Sequence, residues 1–345
     1  MAFINIKNVA IVGMAAGAPK QVMPTISTTS KYGAEDFIAT TGVVEKRYSN
    51  DFTTSDLGQA AAEQLLADLQ WDKKEIGALI FVSQTPDYIL PATSCILQDK
   101  LGLSKDCYSL DISLGCSGWV YGMSVVSSLM QTGMIKKAIL IAGDARKQCY
   151  EEADQLFGFA GTATALEYKE GAEGFQFHFG TDGSGYDAII KPVGGTRNQV
   201  TAEDLVPKMR EDGRMRHNFQ TQMKGMDVFA FGITTAPKSI KKLIAEYGLE
   251  MDKMDYFVFH QANKMMNEKI RTKLKLPEEK VPYSMTHFGN TSSASIPITI
   301  VTQLKEKLAG GQKTEFIGCG FGVGLSWGTI HFTTENLVIS NLVEL

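Results

Sequence analysis

The stretch Asp111-Ile112-Ser113-Leu114-Gly115-Cys116-Ser117-Gly118-Trp119-Val120-Tyr121 ends an apolar strand, turns on Gly115 and enters a helix. Cys116 falls at the turn, facing the first unpaired N–H groups of that helix. Their dipole favours the thiolate, the nucleophilic form of cysteine. The remainder of the chain is read by whether it can serve that sulfur.

Working outward, residues 107–112 form the strand that leads to Cys116, and residues 121–130 continue the helix behind it. Residues 77–82 read as a buried strand ending in the turn-rich Ser83-Gln84-Thr85-Pro86-Asp87-Tyr88. Residues 94–101 read as a helix. Residues 54–69 carry Leu57, Ala60, Ala61, Leu65 and Leu66 at helical spacing, with Thr54 or Ser55 to cap the start. Residues 8–13 read as a first strand turning at Gly13, and residues 19–49 as loop. Residues 137–142 form another strand, while 162–168 and 174–180 look like antiparallel strands. Residues 194–216 are a polar excursion, and 219–247 a long helical stretch broken or started at Pro237. Helix alternating with apolar strand predicts an α/β layered fold.

The chain has 345 residues, 44% hydrophobic and 21% charged, which suffices for two domains or one large layered unit. A net charge of −4 gives no global basic field for nucleic acid. The apolar run at residues 9–18 is too short to span a bilayer. The five cysteines (Cys95, Cys107, Cys116, Cys149 and Cys319) show no C-x-x-C spacing, so neither a zinc knuckle nor a redox pair is expected. Their odd, scattered count fits a reducing cytoplasm. Cys95, Cys107 and Cys149 are expected in the core, and Cys319 is expected to be structural.

An internal repeat extends the reading. A helix at 57–69, Lys73-Lys74-Glu75-Ile76 and a strand at 78–82 in the first half answer to a helix at 239–247, Met251-Asp252-Lys253-Met254 and Tyr256-Phe257-Val258-Phe259-His260-Gln261 in the second. Laid together, Leu114-Gly115-Cys116-Ser117-Gly118 matches Phe288-Gly289-Asn290-Thr291-Ser292. Equivalent strand ends of paired halves converge at a shared face. That brings Cys116, His260 and Asn290 together. The halves are expected at residues 1–185, with the nucleophile, and 186–345, with His260, Asn290 and the Gly-rich Gly318-Cys319-Gly320-Phe321-Gly322-Val323-Gly324. That loop lacks the strand–turn–helix context of a dinucleotide fingerprint.

These residues resemble the β-ketoacyl-acyl carrier protein synthase III family of the thiolase-like superfamily. The resemblance rests on Gln84-Thr85-Pro86-Asp87 with Pro91, Gly115-Cys116-Ser117-Gly118, Met223-Lys224-Gly225 with Val228-Phe229, His260-Gln261-Ala262-Asn263, Gly289-Asn290-Thr291-Ser292, and Phe321-Gly322 through Trp327-Gly328. It implies a five-layered α/β/α/β/α fold of two pseudo-symmetric halves, a homodimer and a Cys116-His260-Asn290 triad. The implied reaction is a decarboxylative Claisen condensation through an acyl-Cys116 intermediate. His260 and Asn290 would donate to the enolate oxygen, and the backbone N–H groups of Cys116 and Val323 would form a second oxyanion hole. No metal or bound cofactor is implied. Acyl-coenzyme A or the phosphopantetheine of acyl carrier protein would be the substrates. Asn at 290, rather than a second His, matches the type III enzymes.

The basic run Lys264, Lys269, Arg271, Lys273, Lys275 usually means a solvated face. Beside a tunnel mouth it would dock the acidic carrier protein. Two departures stand out. Phe37 takes the place of a Trp that clamps adenine, without the Arg that accompanies it, so stacking is retained and the cation lost. Phe159 replaces an Asp after Leu156-Phe157-Gly158. Both point to a specialised paralogue. The rival readings are transfer of the acyl group from Cys116 to an alcohol or amine, a thiolase-like enzyme that does not decarboxylate, and a silent partner subunit.

Overall fold

The computed structural model describes residues 2–25, 33–146, 155–210 and 215–345. Among these, the main strands are β1 (Ala2–Ile6), β2 (Val9–Ala18), β3 (Ile76–Val82), β4 (Tyr108–Ile112), β5 (Lys137–Asp144), β6 (Ala160–Tyr168), β7 (Phe175–Thr181), β8 (Tyr256–Phe259), β9 (Thr314–Gly322), β10 (Ser326–Thr334), β11 (Val338–Ile339) and β12 (Val343–Glu344). One sheet runs β11-β2-β6-β5-β3-β4, with β12 also on β2; the other runs β1-β7-β10-β9-β8. In the first, β5, β3 and β4 are parallel and β6 pairs antiparallel with β5 and β2. The second repeats the plan: β8 and β9 are parallel, and β10 pairs antiparallel with β9 and β7. Each half of the chain, divided at residue 185, contributes strands to both sheets, since β1 and β7 lie in the second and β11 and β12 in the first.

The helices that position the site are α1 (Ala34–Thr41), α2 (Thr54–Asp68), α3 (Thr93–Lys100), α4 (Gly118–Met130), α5 (Gly225–Tyr247), α6 (Lys264–Leu274), α7 (Met285–Phe288) and α8 (Ser295–Gln303). Helices α4 and α8 lie between the sheets. There Trp119, Met123, Ile296 and Ile300 share a core with Ile80 and Leu140 of one sheet and Phe316 and Phe332 of the other. Helices α2 and α3 cover the outer face of the first sheet through Leu65 and Leu97, and α5 and α6 cover the second through Ile240 and Ile270. The result is the five-layered α/β/α/β/α thiolase-like architecture. Each large side chain buried this way contributes about 1.5–3 kcal/mol.

Several local expectations change in three dimensions. Gly13 does not end the first strand, because β2 runs through to Ala18. The glycine is required there by packing: a Cβ would stand 2.8 Å from Leu65 Cδ1 of α2. The cap of α2 is Thr53, which forms a reciprocal capping box with Asp56. Thr54 and Ser55 instead bind the 83–88 loop, Thr54 Oγ1 to Thr85 Oγ1 at 2.7 Å and Ser55 Oγ donating to Asp87 Oδ2 at 2.7 Å. Within residues 19–49 the structure contains α1 and a short antiparallel pair, Val22–Pro24 with Glu45–Arg47. The strands at 160–168 and 175–181 do form, but in different sheets rather than with each other. Pro237 lies inside α5 without ending it.

Candidate active site

Strand β4 delivers the Cys116 turn. Its Asp111 carboxylate accepts the backbone N–H groups of Thr93 and Ser94, both at 2.7 Å, and so holds the start of α3 against the strand end. The turn closes through Gly118 N–H donating to Gly115 O at 2.6 Å. Strand β9 then comes against it so closely that side chains have no room. A Cβ on Gly322 would meet Cys116 Cβ at 2.7 Å and Sγ at 2.8 Å, and one on Gly320 would meet Ser117 Cα at 2.8 Å. The Ser117 hydroxyl lies 2.8 Å from that of Ser326, which donates to Val323 O at 2.8 Å and ties the Gly-rich loop to the turn.

Cys116 does not carry the depressed pKa that its helix-start position alone predicts. Burial pushes the thiol up, and this outweighs the Arg146 charge, the Val323 backbone N–H and the Ser292 hydroxyl, all of which favour the thiolate, while the Asp144 charge opposes it. The resting nucleophile is a thiol that must give up its proton as it attacks.

His260 ends β8. Its backbone N–H donates to Cys319 O at 2.8 Å, and its Nδ1 lies 3.0 Å from Ser295 Oγ at the start of α8. Phe321 stands edge-on to the ring. Burial holds the imidazole pKa down to about 3, with a hydrogen bond to the Ser292 backbone opposing the shift. The ring is therefore neutral at any working pH. Asn290 follows Gly289, whose φ of 64° brings the chain round after α7. Its backbone N–H donates to Leu156 O at 2.8 Å, and its carbonyl accepts from Gly158 N–H at 3.1 Å. Its Oδ1 accepts the Ser292 N–H at 2.9 Å, which leaves the side-chain NH2 as the free donor.

Ser292 sits among these residues: its N–H donates to Asn290 Oδ1 at 2.9 Å, and its buried hydroxyl lies against the Gly115-Cys116 turn. Neither periodicity nor spacing singles it out. The only signal was its place in Gly289-Asn290-Thr291-Ser292, and its φ of 51° is a left-handed conformation unusual for serine.

The depressed His260 pKa has a direct consequence for stability. The unfolded ring protonates near its ordinary 6.5, whereas the folded ring resists until about pH 3. The contribution is complete above pH 6.5 and is lost as pH falls toward 3, by about 1.4 kcal/mol per pH unit. Denaturant titrations at stepped pH should show this slope in the wild type and its reduction in His260→Gln. A slope unchanged in the variant would contradict the neutral buried ring.

The other sequence candidates lie apart from this cluster. Lys264, Lys269 and Lys273 are exposed on α6. Arg271 is not available in the same way: its guanidinium donates to Glu268 Oε2 at 2.7 Å, Leu276 O at 2.8 Å and Glu278 Oε1 at 3.2 Å. Phe37 is partly exposed on α1, whose closing Gly42 packs on Lys264 and Met285 of α6 and α7. Contrary to the expectation that both sit in the core, Cys95 on α3 is exposed and Cys107, just before the edge strand β4, is half-buried. Cys149 lies outside the described residues. Cys319 is buried in β9, its thiol pushed up to about 12. His178 is buried with Nδ1 2.8 Å from Ser239 Oγ, His287 faces Glu45, and His331 bridges Gln176 and Glu315. Among the described residues no three His, Cys, Asp or Glu side chains form a metal-binding group.

A half-buried cysteine at a helix start, a neutral histidine and an asparagine amide at the meeting point of two duplicated α/β halves define a thiolase-like acyl-thioester enzyme. A family model described as 3-oxoacyl-[acyl-carrier-protein] synthase III matches residues 110–183, and the model of its C terminal part matches residues 244–334. A β-ketoacyl-[acyl-carrier-protein] synthase III of Clostridium tetani is 32% identical over 292 residues, 83% of this chain and 86% of that protein. A 3-oxoacyl-(acyl-carrier protein) synthase crystal structure from Burkholderia xenovorans LB400 superposes with a TM-score of 0.92 at 35% identity, covering 100% of this chain and 99% of that one. Another, a 3-oxoacyl-(acyl-carrier-protein) synthase III, gives a TM-score of 0.89 at 32% identity and covers 94% and 99%. The chain belongs to the β-ketoacyl-acyl carrier protein synthase III family.

Proposed function

We propose that this protein condenses an acyl thioester with a malonyl thioester of acyl carrier protein, using Cys116 as the acyl-carrying nucleophile. The sulfur attacks the donor carbonyl, the donor thiol leaves with the proton, and an acyl-Cys116 thioester remains. The malonyl group then loses carbon dioxide, and its electron pair forms an enolate. His260 and the Asn290 NH2 donate to the enolate oxygen. The enolate carbon attacks the acyl-Cys116 carbonyl, whose oxygen is received by the backbone N–H groups of Cys116 and Val323. Collapse breaks the carbon–sulfur bond and releases a 3-oxoacyl thioester, and the freed thiolate takes a proton from solvent to restore the resting thiol. The observation that supports this reading is a cysteine at a helix start with the Gly-rich strand pressed against its sulfur, accompanied by a buried neutral His260 and an Asn290 side chain held by the Ser292 N–H.

The test is intact-mass detection of an acyl adduct on Cys116, followed by release of carbon dioxide from malonyl-carrier protein. Adduct without carbon dioxide, with the acyl group appearing on an alcohol or amine, would favour simple acyl transfer instead. No bound metal or cofactor enters these steps.

For the donor, Phe37 supports weak adenine stacking without a cationic partner, which favours a carrier-bound acyl group over acyl-coenzyme A and a specialised pathway over initiation of fatty-acid synthesis. Efficient priming by acetyl-coenzyme A would contradict this. The docking face for the acidic carrier narrows to Lys264, Lys269 and Lys273, because Arg271 is tied to its own helix and the segment after it. Reversing Lys269 and Lys273 to Glu should raise KM for carrier-bound substrate by about tenfold and leave small thioesters unaffected. Equal KM values in variant and wild type would discard the docking role. The loop residues Tyr88, Ile89 and Leu90, exposed at 62%, 93% and 80%, support a homodimer that covers them. Free thiols at Cys95, Cys107, Cys116 and Cys319 fit a cytoplasmic setting.

A further inference from the structure

A surface cavity of about 490 Å³ opens at the C-terminal end of α6. It is remote from the acyl site, because α6 starts just after His260 and carries the chain about 16 Å away over its 11 residues. Four lysines line it: Lys241 of α5, Lys273 of α6, and Lys275 and Lys280 from the segment that follows. Among the described residues none of the four pairs with a carboxylate. The Lys280 ammonium donates to Asp252 O at 2.9 Å and Met254 O at 2.6 Å, which fixes it on the wall and leaves one donor over. The Lys273 ammonium makes a single long bond, 3.3 Å to Ile233 O, and the exposed ammonium groups of Lys241 and Lys275 make none among the described residues. Asp252 is the one acid in the lining, and its carboxylate accepts no hydrogen bond among the described residues. Met251, Leu276 and Pro277 supply an apolar wall.

Lys275 is not the residue that the backbone favours at its position. It closes α6 in the left-handed conformation, φ 57°, which suits glycine. The matching turn of the first half has that glycine: Leu101-Gly102-Leu103 corresponds to Leu274-Lys275-Leu276, and Gly102 has a φ of 71°. The second half accepts a disfavoured conformation and places a cation at the cavity. Lysines are point charges suited to phosphate, and four of them without counter-charges call for several negative charges close together. A free carboxylate suits a ribose hydroxyl, and an apolar wall suits a base. We propose that this cavity binds a nucleoside triphosphate, its phosphates held by the lysines and its nucleoside by Asp252 and the apolar wall. The site is independent of the condensation chemistry at Cys116.

The test titrates the full-length protein with ATP by isothermal calorimetry in magnesium-free buffer, with tripolyphosphate and adenosine as separate arms. The expected result is saturable binding of one ATP per chain, binding of tripolyphosphate weaker by about tenfold, and none of adenosine. Lys275→Gly should weaken ATP binding by about tenfold or more while its melting temperature stays level or rises, since glycine suits the left-handed turn. Lys241→Ala should weaken it similarly. Lys242→Ala, which removes an equal charge from α5 outside the cavity lining, should stay within about twofold of the wild type. Lys273 is left unchanged because it also belongs to the docking face for the carrier. Absence of ATP binding overturns the site. So does binding that stays equally tight in Lys275→Gly and Lys241→Ala, which would seat the nucleotide elsewhere, or a loss in Lys242→Ala as large as in Lys241→Ala, which would mean diffuse charge attraction. Tripolyphosphate binding as tightly as ATP overturns the assignment of the nucleoside.

Discussion

Replacing Cys116 with alanine is expected to remove the acyl adduct entirely and to lower 3-oxoacyl product formation by about four orders of magnitude or more. The loss should be selective. Release of carbon dioxide from the malonyl thioester should persist, because the enolate is stabilised by His260 and Asn290 and not by sulfur. Folding should also survive, since the other residues of the cluster hold one another: Asn290 Oδ1 keeps the Ser292 N–H, and His260 keeps Ser295. Mass spectrometry of the protein and carbon dioxide assay of the same sample separate the two half-reactions. A persistent adduct in Cys116→Ala would point to another nucleophile and end the present reading.

Gly322→Ala is expected to slow acylation of Cys116 by about a hundredfold with little change in overall fold. The effect is steric and local. The added Cβ would stand 2.7 Å from Cys116 Cβ and 2.8 Å from Sγ, closer than real carbon contacts allow. The φ of Gly322 is not among the left-handed glycines, so the backbone itself tolerates alanine. What must move is the thiol, and a displacement of about 1 Å at a reacting atom can cost on the order of a hundredfold in rate. Adduct formation measured against time, alongside a thermal melt, distinguishes a displaced nucleophile from general destabilisation. Wild-type acylation rates in the variant would show that β9 can retreat from the turn and would refute the tight fit.

Much of the architecture could be read along the chain because strand and helix periodicity are local properties. The repeat that aligned Cys116 with Asn290 depended on the same local patterns. Errors arose where a residue answered to a distant segment. Gly13 looked like a turn because the need for it lies in Leu65, and Thr54 looked like a cap because Thr85 was out of view. Residue type alone places Cys95 and Cys107 in the core, but it carries no information about which side of a layer they occupy. Arg271 looked like a free cation because its Glu278 and Leu276 partners lie beyond its own helix.

The sequence by itself determined that a cysteine stands at a strand-to-helix turn in a duplicated α/β chain, with His260 and Asn290 at the matching ends. Chain connectivity and side-chain pattern suffice for that. Tertiary structure alone decided the state of the site: a thiol raised rather than lowered by its surroundings, an imidazole kept neutral, and an Asn290 side chain held by the Ser292 N–H. The physical reason is that desolvation and charge act through space. Each sums over neighbours contributed by segments remote in sequence, and only the packed layers bring those neighbours together.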